Sequence, residues 1–203
     1  METKTSIAIK GRPREFCVDT ALSAALRVFW AKGYEGASMT DLTEAMGITR
    51  PSLYAAFGNK EALFRKALDL YESEKMDYTR CALEAPTARG VVERLMRGGL
   101  ANQTGDGGAK GCLGVISTVA CGEAALGIKD EVIARRESSR LALIERFYRA
   151  RDDGDFGADV DVDGLVSYLF AILQGMAVQA GSGASREDLE RMTGVALKLW
   201  PTR

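Results

Sequence analysis

The sequence predicts an all-α fold, and three observations predict it. Apolar residues recur at helical spacing along nearly the whole chain, residues able to cap helix starts stand just ahead of those stripes, and glycine or proline falls between them. With 203 residues, 46% of them apolar and 27% charged, the chain lies near the globular average. It is long enough for a small domain joined to a larger one.

Residues 1–15 lack periodicity and contain "GRPRE", which reads as a flexible basic arm that orders on a partner. Leu22, Ala25, Leu26 and Phe29 then follow the i, i+3, i+4, i+7 stripe of an amphipathic helix over 17–32, with Gly33 as its stop. After the turn "GYEGAS", Ser38 or Thr40 can cap a short helix with Leu42, Ala45 and Met46 on its inner face, ended by Gly47. Thr49 offers the next cap and Pro51 sits in the first turn, where its missing N–H is harmless. Leu53, Tyr54 and Phe57 complete a third helix closed by Gly58. Asn59 caps a fourth, whose Leu63, Phe64, Ala67, Leu68 and Tyr71 continue toward Cys81.

Pro86 marks a break, and 87–103 reads as a helix with Val91, Val92, Leu95 and Met96 inside; "TGDGGAKG" follows as an exposed loop. Over "CLGVISTVACGEAAL" strand and buried helix compete, and the helical surroundings favour helix. A charged helix over 129–151 has Val132, Ile133, Leu141, Ile144 and Phe147 as its stripe. The helix over 161–180 is apolar on most of its circumference and needs neighbours on several sides, with Ala171, Gly175 and Gln179 spaced for close approach. Ser185 and Asp188 resemble a capping box that opens a last helix through Trp200.

Charge and composition narrow the function classes. The net charge is −1, but residues 1–60 carry +2 and the remainder −3, which permits local phosphate contact without general stickiness toward polyanions. No histidine is present, which removes the usual general base and the commonest metal ligand. Cys17, Cys81, Cys112 and Cys121 show no CxxC spacing, so they read as reduced thiols, and no cofactor or metal is implied. Without a leader or an uninterrupted apolar run of bilayer length, the expected location is the cytoplasm, with no membrane partner.

Two short helices joined by a glycine-containing turn, "SMTDLTEAMGITRPSLYAAF", match a helix-turn-helix, whose second helix enters the major groove. Arg50 and Ser52 stand at its leading end, where a guanidinium can pair with guanine O6 and N7 and a hydroxyl can meet base or phosphate. Ala55 and Ala56 keep the flank slim, Tyr54 can offer its hydroxyl to phosphate, and Lys60 adds charge beside free backbone N–H groups.

"GRPREF" and "ALRVFWAKGYEGASMTDLTEAMGITRPSLYAAFGNKEALFRKAL" resemble the amino-terminal domain of TetR family transcriptional regulators, over residues 11–70. The resemblance implies a homodimer, usually a repressor, that binds a palindromic double-stranded DNA operator and is released by an effector. It divides the chain into the arm (1–15), a helix-turn-helix DNA-binding domain (16–60) and a helical effector-binding and dimerisation domain (61–203). Its DNA-contact positions fall on Thr40, Arg50, Pro51, Ser52, Tyr54 and Lys60, with Arg12 and Arg14 of the arm as supplements. Its last two helices form a four-helix dimer interface, which here would use Leu165, Leu169, Ile172, Gly175, Met176, Leu189, Met192 and Leu197. The tetracycline-responsive members hold a metal-bound drug with histidine, which this chain lacks.

"KGCLG" resembles a Gly-Cys-Leu element of one branch of that family, in which the cysteine of some members senses electrophiles or oxidants. A glycine-rich loop, a helix start and Lys110 would make thiolate chemistry at Cys112 easier, whereas a packing role is the plain alternative. A reversible small-molecule effector would instead meet Met96, Phe147 and Phe170 among the central helices. A cysteine-dependent enzyme and a helical interaction module without DNA contact are the rival classes.

Overall fold

A computed structural model of the protein describes residues 16–105, 109–119, 122 and 125–201. Among these, ten helices and no strand occur: α1 (Val18–Gly36), α2 (Met39–Met46), α3 (Arg50–Phe57), α4 (Lys60–Lys75), α5 (Asp77–Leu83), α6 (Ala88–Thr104), α7 (Leu113–Val119), α8 (Leu126–Asp152), α9 (Val162–Gly181) and α10 (Arg186–Leu199). Arg12, Arg14 and Cys121 lie outside the described residues.

The caps set the boundaries. Ser38, rather than Thr40, opens α2: its hydroxyl accepts from Asp41 N, and Asp41 Oδ2 accepts from Ser38 N at 2.9 Å. Thr49 Oγ1 accepts from Ser52 N at the start of α3, and Asn59 Oδ1 from Ala62 N at the start of α4. Each such cap satisfies an orphan donor and contributes about 1 kcal/mol. Ser185 caps α10 by accepting from Asp188 N.

Two cores result. Ala25, Leu26 and Phe29 of α1 pack with Leu42, Leu53, Phe57, Leu63 and Phe64, and this first core also takes in Leu113, Ile128 and Val132 from α7 and α8. Phe29 meets Phe64 edge-on with ring centroids 5.1 Å apart, an arrangement that adds about 0.5–1.5 kcal/mol beyond burial. The second core joins α5, α6, α8, α9 and α10 around Val92, Met96, Phe147, Leu169 and Met176. Arg146 is buried there and donates to the carbonyls of Leu83 (3.2 Å) and Ala85 (2.7 Å), which satisfies groups left open where α5 ends.

Several expectations are revised. The fourth helix does not run to Cys81; it stops at Lys75, and Met76 leaves helical geometry before α5 begins. Gly33 does not end α1 but breaks it, with φ 70° and ψ 177°, and a last turn follows. Ala45 of α2 is exposed, as are Ile133 and Leu141 of α8. Val132 and Ile133 stand ~100° apart on the helix, and of the two only Val132 is turned into the core. By length and composition α9 could cross a bilayer, yet Val166, Leu169, Met176 and Ala180 are packed into the second core.

Candidate nucleic-acid interface and effector cavity

The turn between α2 and α3 depends on Gly47, whose φ of 65° lies in the left-handed region. Gly47 N–H donates to Glu44 O and Ile48 N–H to Thr43 O, which closes α2 and turns the chain into Thr49. Leu53 and Phe57 anchor α3 in the first core, so the opposite face, with Arg50, Pro51, Tyr54, Ala55 and Ala56, is exposed.

On that face Arg50 Nη2 donates to Thr40 Oγ1 at 3.1 Å. The bond holds the guanidinium across the α2–α3 junction. Ser52 is half-buried, its hydroxyl 2.9 Å from Thr49 Oγ1, so it belongs partly to the cap. Lys60 Nζ stands 4.6 Å from the centroid of the Tyr34 ring. Burial pulls the Lys60 pKa below its ordinary value, opposed by the Glu35 carboxylate. Lys32 pairs with Asp41 at 2.6 Å, and this bond, with those from Ser38, holds the Asp41 carboxyl at about 2. Thr40 and Arg50 are thus brought together, with Pro51, Ser52 and Tyr54 on the same short helix and Lys60 at the start of α4.

A cavity of about 740 Å³ lies between α4, α5, α6, α8 and α9, within the usual range for small-molecule sites. Cys112 and Phe170 line it; Met96 and Phe147 do not. Those two are wholly buried in the second core, and Phe147 stacks edge-on with Phe156 and Trp200. The effector expectation is corrected accordingly: they fill protein interior and present nothing to a ligand.

The polar lining was not singled out in the sequence. Tyr71, 2% exposed, carries a hydroxyl that accepts from Asn102 Nδ2 at 3.2 Å and lies within reach of Cys112; burial, then the neighbouring thiol, push its pKa upward. Tyr78 packs its ring flat on Gly98 of α6, where an added Cβ would fall 2.1 Å from Tyr78 Cδ2. Gln103 is buried, and its Oε1 has no hydrogen-bond partner among the described residues. At the rim Arg135 spans Asp69 (2.7 Å), Glu72 (2.8 Å) and Glu131 (2.8 Å), while Arg65 joins Glu131 at 2.6 Å. These ion pairs clamp α4 to α8.

The segment carrying Cys112 also touches α1. Trp30 Nε1 donates to Gly111 O, Ile116 Cγ2 lies 3.2 Å from where a Cβ at Gly33 would stand, and Gly122 N donates to Glu35 Oε2 at 2.5 Å.

The expected dimer face is only partly on the surface. Leu169, Met176 and Leu189 are fully buried in the protomer's own core and Leu197 nearly so, hence unavailable to a partner. Leu165, Ile172, Gly175 and Met192 are half-buried, beside exposed Tyr168, Val178, Val195 and Leu199. A shallow groove runs along Tyr168, Ile172, Gly175, Met192 and Val195.

Residues 21–67 match the model of the bacterial regulatory proteins of the tetR family. The transcriptional repressor ComR of Escherichia coli K12 is 32% identical over 200 residues, which span 95% of this chain and 92% of ComR. BdcR, another repressor of that organism, is 28% identical over 203 residues, covering 98% of each chain. A cysteine-substituted form of the TetR family regulator CifR, solved in complex with a 26-base-pair double-strand operator DNA, superposes with a TM-score of 0.88 at 43% identity. The match spans 94% of this chain and all of that one. With a helix-turn-helix face at one end and relatives matched over nearly their full length, the chain belongs to the tetR family of bacterial regulatory proteins.

Proposed function

We propose that the protein is a homodimeric transcriptional repressor that binds a palindromic operator through α2 and α3 and is released when its cavity is occupied or Cys112 is modified. The observation that carries this reading is the exposed α3 face, on which Arg50 is steadied by Thr40 at the leading turn. In such a placement the guanidinium meets base edges, while Tyr54, Ser52, Pro51, Thr40 and Lys60 fix the register on phosphates. Arg12 and Arg14 supply further charge from the arm. We assign the first core to DNA reading and the second to effector binding and dimerisation. The outer faces of α9 and α10 around Gly175 and Val195 then form the subunit interface in place of Leu169, Met176 and Leu189.

Release follows from the connections of the cavity. It is bounded by α4, and α4 follows the reading helix after only Gly58 and Asn59. An occupant that spreads α4 from α8 reorients α3 and its counterpart away from successive grooves about 34 Å apart. "KGCLG" places Cys112 at the cavity wall beside Tyr71, which supports the Gly-Cys-Leu branch reading: a group added to that thiol would enter the same space. The cytoplasm is the corresponding site of action.

A footprint on the DNA upstream of its own gene, repeated with an oxidant or electrophile, tests the reading. Protection of an inverted repeat is expected, lost on treatment in the wild type but retained in Cys112→Ser if the thiol is the trigger. No protection of any inverted repeat over scrambled competitor would sink it.

A further inference from the structure

Two polar groups of the cavity have open hydrogen-bonding capacity. Gln103, 5% exposed on α6, donates Nε2 to the Leu173 carbonyl at 3.5 Å, and its Oε1 accepts from no described residue. Turning the amide over would set oxygen against the Leu173 carbonyl, so the acceptor stays where it is. Tyr78 lines the same cavity, and its hydroxyl makes no hydrogen bond to a described residue. The two side chains also approach each other near Gly99, where a built Cβ would stand 3.6 Å from the Tyr78 hydroxyl and 3.8 Å from Gln103 Nε2. Burial, then Cys112, raise the Tyr78 pKa, so at neutral pH it is a donor.

The surroundings are apolar, with Leu95, Leu143, Phe170 and Leu173 on the walls. The rim charges are largely paired, Arg135 with three carboxylates and Arg80 with Asp77. A buried acceptor without a donor is destabilising until one arrives.

We infer that the ligand of this cavity is an uncharged, largely apolar molecule with an alcohol-type hydroxyl that donates to Gln103 Oε1. The assignment rests on the reading of this cavity as the effector site. It makes Gln103 a specificity-determining residue and leaves Cys112 free to respond separately.

Calorimetric titration of the purified full-length protein with 1-decanol, its donor-free isomer 1-methoxynonane and decanoate tests this. Decanol should bind about tenfold more tightly than the ether, the difference one hydrogen bond to a buried acceptor confers. In Gln103→Met, which preserves length and apolar packing, the two should bind alike, and a melting curve shows whether the variant is folded. Absence of decanol binding up to its solubility limit, equal binding of alcohol and ether by the wild type, or a preference that persists in Gln103→Met would overturn the inference. So would tighter binding of decanoate, which would point to Arg136 at the rim. If decanol shows the Gln103-dependent preference but leaves operator affinity unchanged, the ligand class stands and the regulatory reading of the cavity fails.

Discussion

Trp30 donates its indole Nε1–H to the carbonyl oxygen of Gly111 over 3.1 Å, and Trp30 stacks edge-on with Tyr71, which lies beside Cys112. One side chain thus touches α1, the cavity wall and the cysteine-bearing segment. Trp30→Phe keeps the ring contact and leaves the Gly111 carbonyl unpaired, at a cost of about 1–3 kcal/mol. The melting temperature should fall by several degrees. In fluorescence anisotropy with labelled operator, the variant should respond less to a cavity ligand than the wild type does; an unchanged response would remove Trp30 from the route between the two.

Arg50 and Lys60 should fail in different ways. Arg50→Ala is expected to cost about 1–3 kcal/mol per half-site and to relax base preference, because a guanidinium on a base edge discriminates. Lys60→Ala should weaken all sequences alike and flatten the slope of log affinity against log salt by about one per contact. Thr40→Val tests the bond that steadies Arg50, and should weaken operator binding in the same sequence-dependent way. Competition binding across a randomised half-site separates these outcomes; an unchanged preference in Arg50→Ala would contradict direct readout.

Asp41 gives the reading end a definite acid response. Its carboxyl, held by Lys32 and Ser38, titrates at about 2 in the folded protein and near ~4 when unfolded. Because the folded value is depressed, its stabilisation is fully present above the unfolded value and is lost as pH falls through the folded one. Urea midpoints of the wild type and Asp41→Asn should therefore differ by a constant amount from pH 7 to about 5 and draw together progressively between about 4 and about 2. A difference that persists unchanged at pH 3 would show that the ionised carboxylate is not what stabilises the start of α2.

A Cβ at Gly175 would meet nothing within 4 Å, so the protomer itself accommodates Gly175→Leu. A partner packed on the same groove would not. Sedimentation should show the variant as a monomer with unchanged helical circular dichroism and much weaker operator binding. A dimer of wild-type stability would place the interface elsewhere.

The caps were the most legible part of the fold, since Ser38, Thr49, Asn59 and Ser185 each bond a backbone N–H three residues on. Their signal is local and needs no tertiary partner. The turn between α2 and α3 was legible for the same reason: Gly47 and Pro51 fix it and leave Arg50 outward. The break at Met76 was not, because Tyr71 and Tyr78, seven residues apart, keep a helical period across it while facing one cavity. Nor could the sequence separate Phe170, which lines the cavity, from Phe147, which fills the core, since periodicity reports a buried face and not what lies opposite. Tyr78 and Gln103 escaped notice because a polar residue on a helix reads as solvated until the fold encloses it.

Tyr78 lying flat on Gly98 has a consequence for kinship. Any methyl at position 98 would collide with the base of that ring, so the glycine and the tyrosine must be inherited together or exchanged together.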